Sequence, residues 1–170
     1  MAGWPLLEKF HRLFGFFSRV SSQLAPETHL KQAADPKPIS EAERLSRYVT
    51  NKDHLNVARD RLHFRAFLPS SKQQEVSIIR TEQLAEEKVW EIGDRVVAEP
   101  AGRIILARGD FMARQVGESH VGDWRLTVVP AEPPPRHALI GGWPPAEESE
   151  IRKLLAQQLR AAATLRLKPL

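Results

Sequence analysis

The sequence predicts an α+β fold: an antiparallel or mixed sheet of four to six strands with two or three covering helices, preceded by an N-terminal amphipathic helix. Three observations predict it. Short segments of alternating polarity recur at 61–68, 75–80, 103–108 and 124–129. Apolar residues at helical spacing mark 4–24, 82–92 and 147–167. Proline-containing breaks at 25–39 and 130–135 set an arm and a C-terminal part off from a body of ordinary soluble composition, 42% hydrophobic and 27% charged in 170 residues. A chain of this length buries about two-thirds of its unfolded surface, so it needs no metal or disulfide to fold. With no cysteine, disulfides, zinc ribbons, thiol catalysis and iron–sulfur ligation are excluded, and a cytoplasmic setting is expected.

The arm comes first. Within residues 1–24, Phe10, Leu13, Phe14 and Phe17 share a helical stripe, with Lys9, Arg12 and Arg19 behind it. Pro5 suits a first helical turn. Glu8, Lys9, His11 and Arg12 interrupt any secretory core or membrane span. Such a helix is not stable alone in water; it needs its own domain, a partner's groove or a lipid surface. Residues 25–39, with three prolines, read as an extended linker.

The body is expected over 40–129. Ser40-Glu41-Ala42-Glu43 is a capping box that predicts a helix through Leu45, Tyr48 and Val49. Residues 61–68 alternate as a strand, with Arg61, His63 and Arg65 on one face, and pair with 75–80 as a hairpin. Thr81 is placed to cap a helix over 82–92, and Gly93 to end it in the left-handed conformation. A strand at 103–108 is followed by a turn at Gly109-Asp110 into Phe111–Val116, and Trp124–Val129 alternates as another strand. Residues 130–146 form a proline-rich connector with a short strand near His137–Ile140. Residues 147–167 close the chain with a helix packed on the body, its stripe including Leu155, Leu159 and Leu165.

The net charge of +4 is distributed as +2 over 1–39, zero over 40–129 and +2 over 130–170. A nucleic-acid-binding body usually concentrates its basic residues, so nucleic acid is not the favoured partner. Arg61, His63, Arg65 and Arg136 make an anion-binding candidate, with Glu82, Glu86 or Glu87 as alternative partners for the first three. There is no G-x-G-x-x-G, P-loop or G-x-S-x-G, so no cofactor is expected. His120 with Asp123, and Asp53 with His54, fall short of a metal-ligand cluster. Arg108-Gly109-Asp110 matches an integrin-type tripeptide, which a tight strand turn explains more simply.

His63 and His137 both fall on predicted strands. Two strand histidines in a small α+β domain resemble the two-histidine phosphoesterases, which act on 2′,3′-cyclic phosphates. The resemblance implies catalysis by His63 and His137 in a small phosphoesterase or RNA-processing enzyme. It covers those two residues alone: Arg65 and Leu139 stand where that family carries Ser or Thr. The leading expectation is instead a non-enzymatic adaptor subunit that docks a protein partner through Phe10, Leu13, Phe14 and Phe17. Peripheral membrane contact through the same face is the third reading.

Overall fold

The computed structural model describes residues 37–169, apart from 57, 59 and 71–73. The arm, with Phe10, Leu13, Phe14 and Phe17, and the linker as far as residue 36 lie outside the described residues. What is described is an α+β unit built on a six-stranded, wholly antiparallel sheet. In chain order its strands are β1 (Arg44–Val49), β4 (Val76–Arg80), β5 (Ala107–Met112), β8 (Thr127–Pro130), β9 (His137–Gly141) and β10 (Thr164–Leu167). The spatial order is β10-β5-β1-β4-β9-β8. Two small hairpins flank it: β2 (Leu55–Asn56) with β3 (Arg61–Leu62), and β6 (His120–Val121) with β7 (Trp124–Arg125). The helices are α1 (Glu86–Gly93), α2 (Ala113–Glu118) and α3 (Ser149–Ala162).

The two faces of the sheet carry different layers. Leu45, Ile78, Phe111 and Ile140 pack with Phe67 and with Leu155 and Leu159 of α3. On the other face Tyr48 and Ile79 pack with Val89, Trp90 and Ile92 of α1. Period-two alternation explains the split: consecutive residues of a central strand serve opposite cores.

That double burial overturns the helix expected over 44–49. Leu45 and Val49 lie four apart, a spacing that fits a helix and one face of a strand equally. Tyr48, which would complete a helical stripe, points into the second core instead. The capping contacts of Ser40 and Glu43 do form, at 3.4 Å each, but they close a turn rather than start a helix. β1 then pairs with both β4 and β5, which puts it at the centre of the sheet.

The strand expected over 61–68 stops after Leu62. His63 Nδ1 accepts a hydrogen bond from the Arg65 amide at 3.2 Å and starts a 3-10 turn over Phe64–Phe67. That turn places Phe64 and Phe67 on one side and buries Phe67. So β3 pairs with β2, and β4 pairs with β1 and β9, not with 61–68. The common strand face proposed for Arg61, His63 and Arg65 is lost.

The Gly109-Asp110 turn is also overturned: both residues lie inside β5. Gly109 is there because a Cβ would meet Leu62 Cδ1 at 2.5 Å. Phe111 and Met112 finish that strand, and α2 follows. Thr81 does not cap α1. Its hydroxyl sits 3.0 Å from that of Ser46, and Ala85 holds the N-cap position. Gly93 stays helical at φ −59°, and the chain winds on to Gly102, which takes the left-handed conformation at φ +59°. Gly93 serves packing, since its missing side chain makes room for the Tyr48 ring. Trp124–Val129 is divided between β7 and β8, with Leu126 buried between them. The final helix ends at Ala162, and Leu165 belongs to β10, an edge strand on β5. The strand near His137–Ile140 and the core of the final helix are found where expected.

Candidate functional site

Two turns of chain and one helix bring cations together on the α3 side of the sheet. Asn51 caps a 3-10 turn over Lys52–His54, its Oδ1 accepting from the Asp53 amide at 2.9 Å. The β2–β3 hairpin then delivers Asn56 and Arg61, and His63 caps the next turn. α3 runs against that turn and contributes Gln157 and Arg160. Asn56, Arg61, Leu62, His63 and Phe64 line a cup of about 160 Å³ with those two residues of α3. The His63 and Phe64 rings lie 4.5 Å apart, tilted by 35°.

The electrostatics of the cup are one-sided. Burial, then Arg65, Arg160 and Arg61 in that order, push His63 below its ordinary value. Among the described residues no carboxylate acts against them. Burial, then Arg47 and His63, depress His54 as well, with Asp53 only partly offsetting them. Beneath the turn, Arg47 donates to the carbonyls of Ala66 at 2.9 Å and Ser77 at 2.8 Å, and burial lowers it to about 10. None of the ion pairs found among the described residues involves Arg61, Arg65 or Arg160. The Nε of Arg160 is buried without a hydrogen-bond partner among them.

Three of the four residues proposed for anion binding are therefore gathered here, around His63. Arg136 is not. It takes φ +66°, lines a separate groove of about 470 Å³ and donates to the carbonyls of Arg80 and Glu82 at 3.4 Å. Carboxylates balance that groove: Glu43 forms a 2.6 Å ion pair with Arg80, and Glu132 accepts from the Arg136 amide. Two of the three glutamates offered as partners for the cup are engaged elsewhere. Glu86 holds Arg108, and Glu82 accepts from the Arg44 amide. Arg160 was missed because it follows His63 by nearly a hundred residues. The signal for it was the acid-free run from Ile151 to Leu170.

The sheet separates His63 from His137. His63 belongs to the layer of α3, whereas His137 pairs with Ile79 on the opposite face. His137 Nδ1 lies 2.9 Å from the Ala131 carbonyl, so that nitrogen carries the proton and the Ser77 hydroxyl donates to Nε2 at 2.6 Å. The two histidines share no hydrogen bond and no cavity.

On the α1 side, Arg108 is enclosed at 1% side-chain exposure, bonded to Asp110 at 2.9 Å and Glu86 at 2.7 Å and stacked 4.4 Å over Trp90. Burial lowers its affinity for a proton, but those two carboxylates outweigh burial and hold it above its ordinary value. Arg108-Gly109-Asp110 is thus an extended strand segment whose arginine and aspartate pair with each other, and not an exposed recognition loop. A cavity of about 680 Å³ opens between α2, the β6–β7 hairpin and β8, with Arg114 and Arg125 beside Glu41 and Glu118. Among the described residues no group of three or more acids or histidines is placed to hold a metal ion, and no helix is long and apolar enough to cross a membrane. No protein-family model, curated protein or solved structure matches the chain.

Proposed function

We propose that this protein is a non-enzymatic adaptor that docks a protein partner through Phe10, Leu13, Phe14 and Phe17. The observation that carries the reading is that apolar stripe, joined to the body by a segment with three prolines. Four large side chains contribute about 1.5–3 kcal/mol each when buried. Ordering a helix costs about 1–2 kcal/mol per residue, so the stripe needs a complementary surface to fold against.

The test is a photo-crosslinking amino acid substituted at Phe14 in the full chain, expressed in its native cell. One dominant protein adduct is expected, lost when Phe10 and Phe17 are both changed to Ser. Adducts confined to the protein's own residues 39–165, or to lipid, overturn the reading. Lipid adducts, together with flotation on anionic vesicles, replace it with peripheral membrane attachment.

A further inference from the structure

We propose that the cup formed by Arg61, His63 and Arg160 is a binding site for one phosphoryl group, a phosphate monoester carried by a small molecule. The inference stands apart from the docking stripe and fails separately from it.

Convergence is the first argument. Two stretches distant in sequence supply the lining: the β2–β3 hairpin with the cap of the turn that follows it, and the last turns of α3. Two arginine forks and an imidazole point to acceptor oxygens, and Asn56 and Gln157 add neutral donors. A phosphate monoester offers three such oxygens and close to two negative charges at neutral pH.

The second argument is what the fold leaves unmet. Arg61, Arg65 and Arg160 crowd His63, and no ion pair among the described residues neutralises them. The Arg160 Nε is buried without a hydrogen-bond partner among the described residues. His63 is already set to donate. Its Nδ1 accepts the Arg65 amide, so the neutral ring carries its proton on Nε2.

Size and charge distribution choose among phosphate ligands. The cup holds about 160 Å³, below the roughly 300 Å³ at which pockets begin to enclose drug-sized molecules. It takes a headgroup and leaves the remainder of the ligand outside. Nucleic acid needs basic residues spread along several phosphates. Here they meet at one concavity, and the segment 40–129 that supplies Arg61 and His63 has a net charge of zero.

The experiment titrates the full chain with phenyl phosphate at constant ionic strength, following the imidazole nitrogens by NMR. A saturable shift of His63 is expected, with its protonation moved to higher pH because the ligand offsets the three arginines. Arg160→Gln and Arg61→Gln should each weaken binding about ten- to a hundredfold, the range for a hydrogen bond to a charged group. Arg136→Gln should leave it unchanged. The urea midpoint of each variant confirms folding. Absence of saturation by about 10 mM, a concentration where even weak sites fill, overturns the proposal. So does binding indifferent to Arg160→Gln. Binding of single-stranded RNA with a steep salt dependence, without response to phenyl phosphate, overturns it in favour of a nucleic-acid surface.

Discussion

Arg108 and Arg160 are both held by the body, on opposite faces of one sheet, and the fold treats them differently. Arg108 meets two carboxylates and the face of Trp90. Arg160 meets another arginine, a histidine and two amides. One nitrogen of each, Nη1 of Arg108 and Nε of Arg160, lacks a hydrogen-bond partner among the described residues. The difference is in charge. Among the described residues, carboxylates pair with Arg108 on the α1 side and none pairs with the arginines of the cup. A buried charge with its partners in place is a structural element. Cations gathered without a partner repel one another, and an anionic ligand would relieve that repulsion.

The largest effect should come from breaking the paired side. Asp110→Asn removes the carboxylate that Arg108 and the Ser46 hydroxyl share, at 2.9 and 2.6 Å. It leaves a nearly unexposed guanidinium with only the half-exposed Glu86. Stripping one partner from a buried pair costs about 3–5 kcal/mol. Urea unfolding should show that loss for Asp110→Asn. Arg160→Gln should change stability by less than about 0.5 kcal/mol or raise it, as surface-type changes away from paired groups do. Equal losses in the two variants would erase the distinction between the two sites.

How much of this was legible in the sequence depends on which faces each segment buries. The α+β class, β9 and the core of α3 could be read because each presents one apolar face and a clear period. β1 could not, since Leu45 and Val49 serve one core while Tyr48 serves the other. Gly109-Asp110 reads as a turn because local composition does not show that Leu62 will press on that backbone. The cup was half visible. Arg61, His63 and Arg65 are close in sequence, and the 3-10 turn that gathers them around His63 hides behind an alternating pattern. Arg160 joins them only through the packing of α3, and Arg136 leaves them because β9 carries it to another groove.

The contact between the layers gives the next largest effect. Gly109 lies between the two sites on β5, where a Cβ would meet Leu62 Cδ1 at 2.5 Å and Phe67 Cζ at 3.2 Å. Gly109→Ala therefore has to push the β3 hairpin and its turn outwards. Overpacking of this kind costs about 1–3 kcal/mol. Gly117 in α2 has open space around its missing Cβ, so Gly117→Ala should instead stabilise by about 0.5–1 kcal/mol through helix propensity. Both values come from urea unfolding. Gly109→Ala should also alter the His63 and His54 imidazole signals, since the displaced turn carries His63. Unchanged signals would mean that the cup's geometry does not depend on this packing.

The smallest effect separates the two regions by pH. His63 and His54 are both held below their ordinary value of 6.5, by burial first and then by neighbouring cations. Above that pH the rings are neutral in the folded and unfolded chains, and nothing is gained or lost. As pH falls below about 6.5 the unfolded chain takes up protons that the folded chain resists, so stability declines. On the α1 side, hydrogen bonding to Arg108 first, then its charge, hold Glu86 below its ordinary 4.5. Its contribution is present above that value and is lost only as pH falls below it. The cup and the Arg108 network thus act in successive windows. Arg160→Gln removes one of the three arginines that crowd His63. Its urea midpoint should fall less steeply than that of the wild type between about pH 6.5 and 5, while the step below about 4.5 stays the same. A variant that keeps the full upper slope would show that the charge of Arg160 does not reach His63, and the cup would then lose the electrostatic unity that distinguishes it from the paired arginine on the other face.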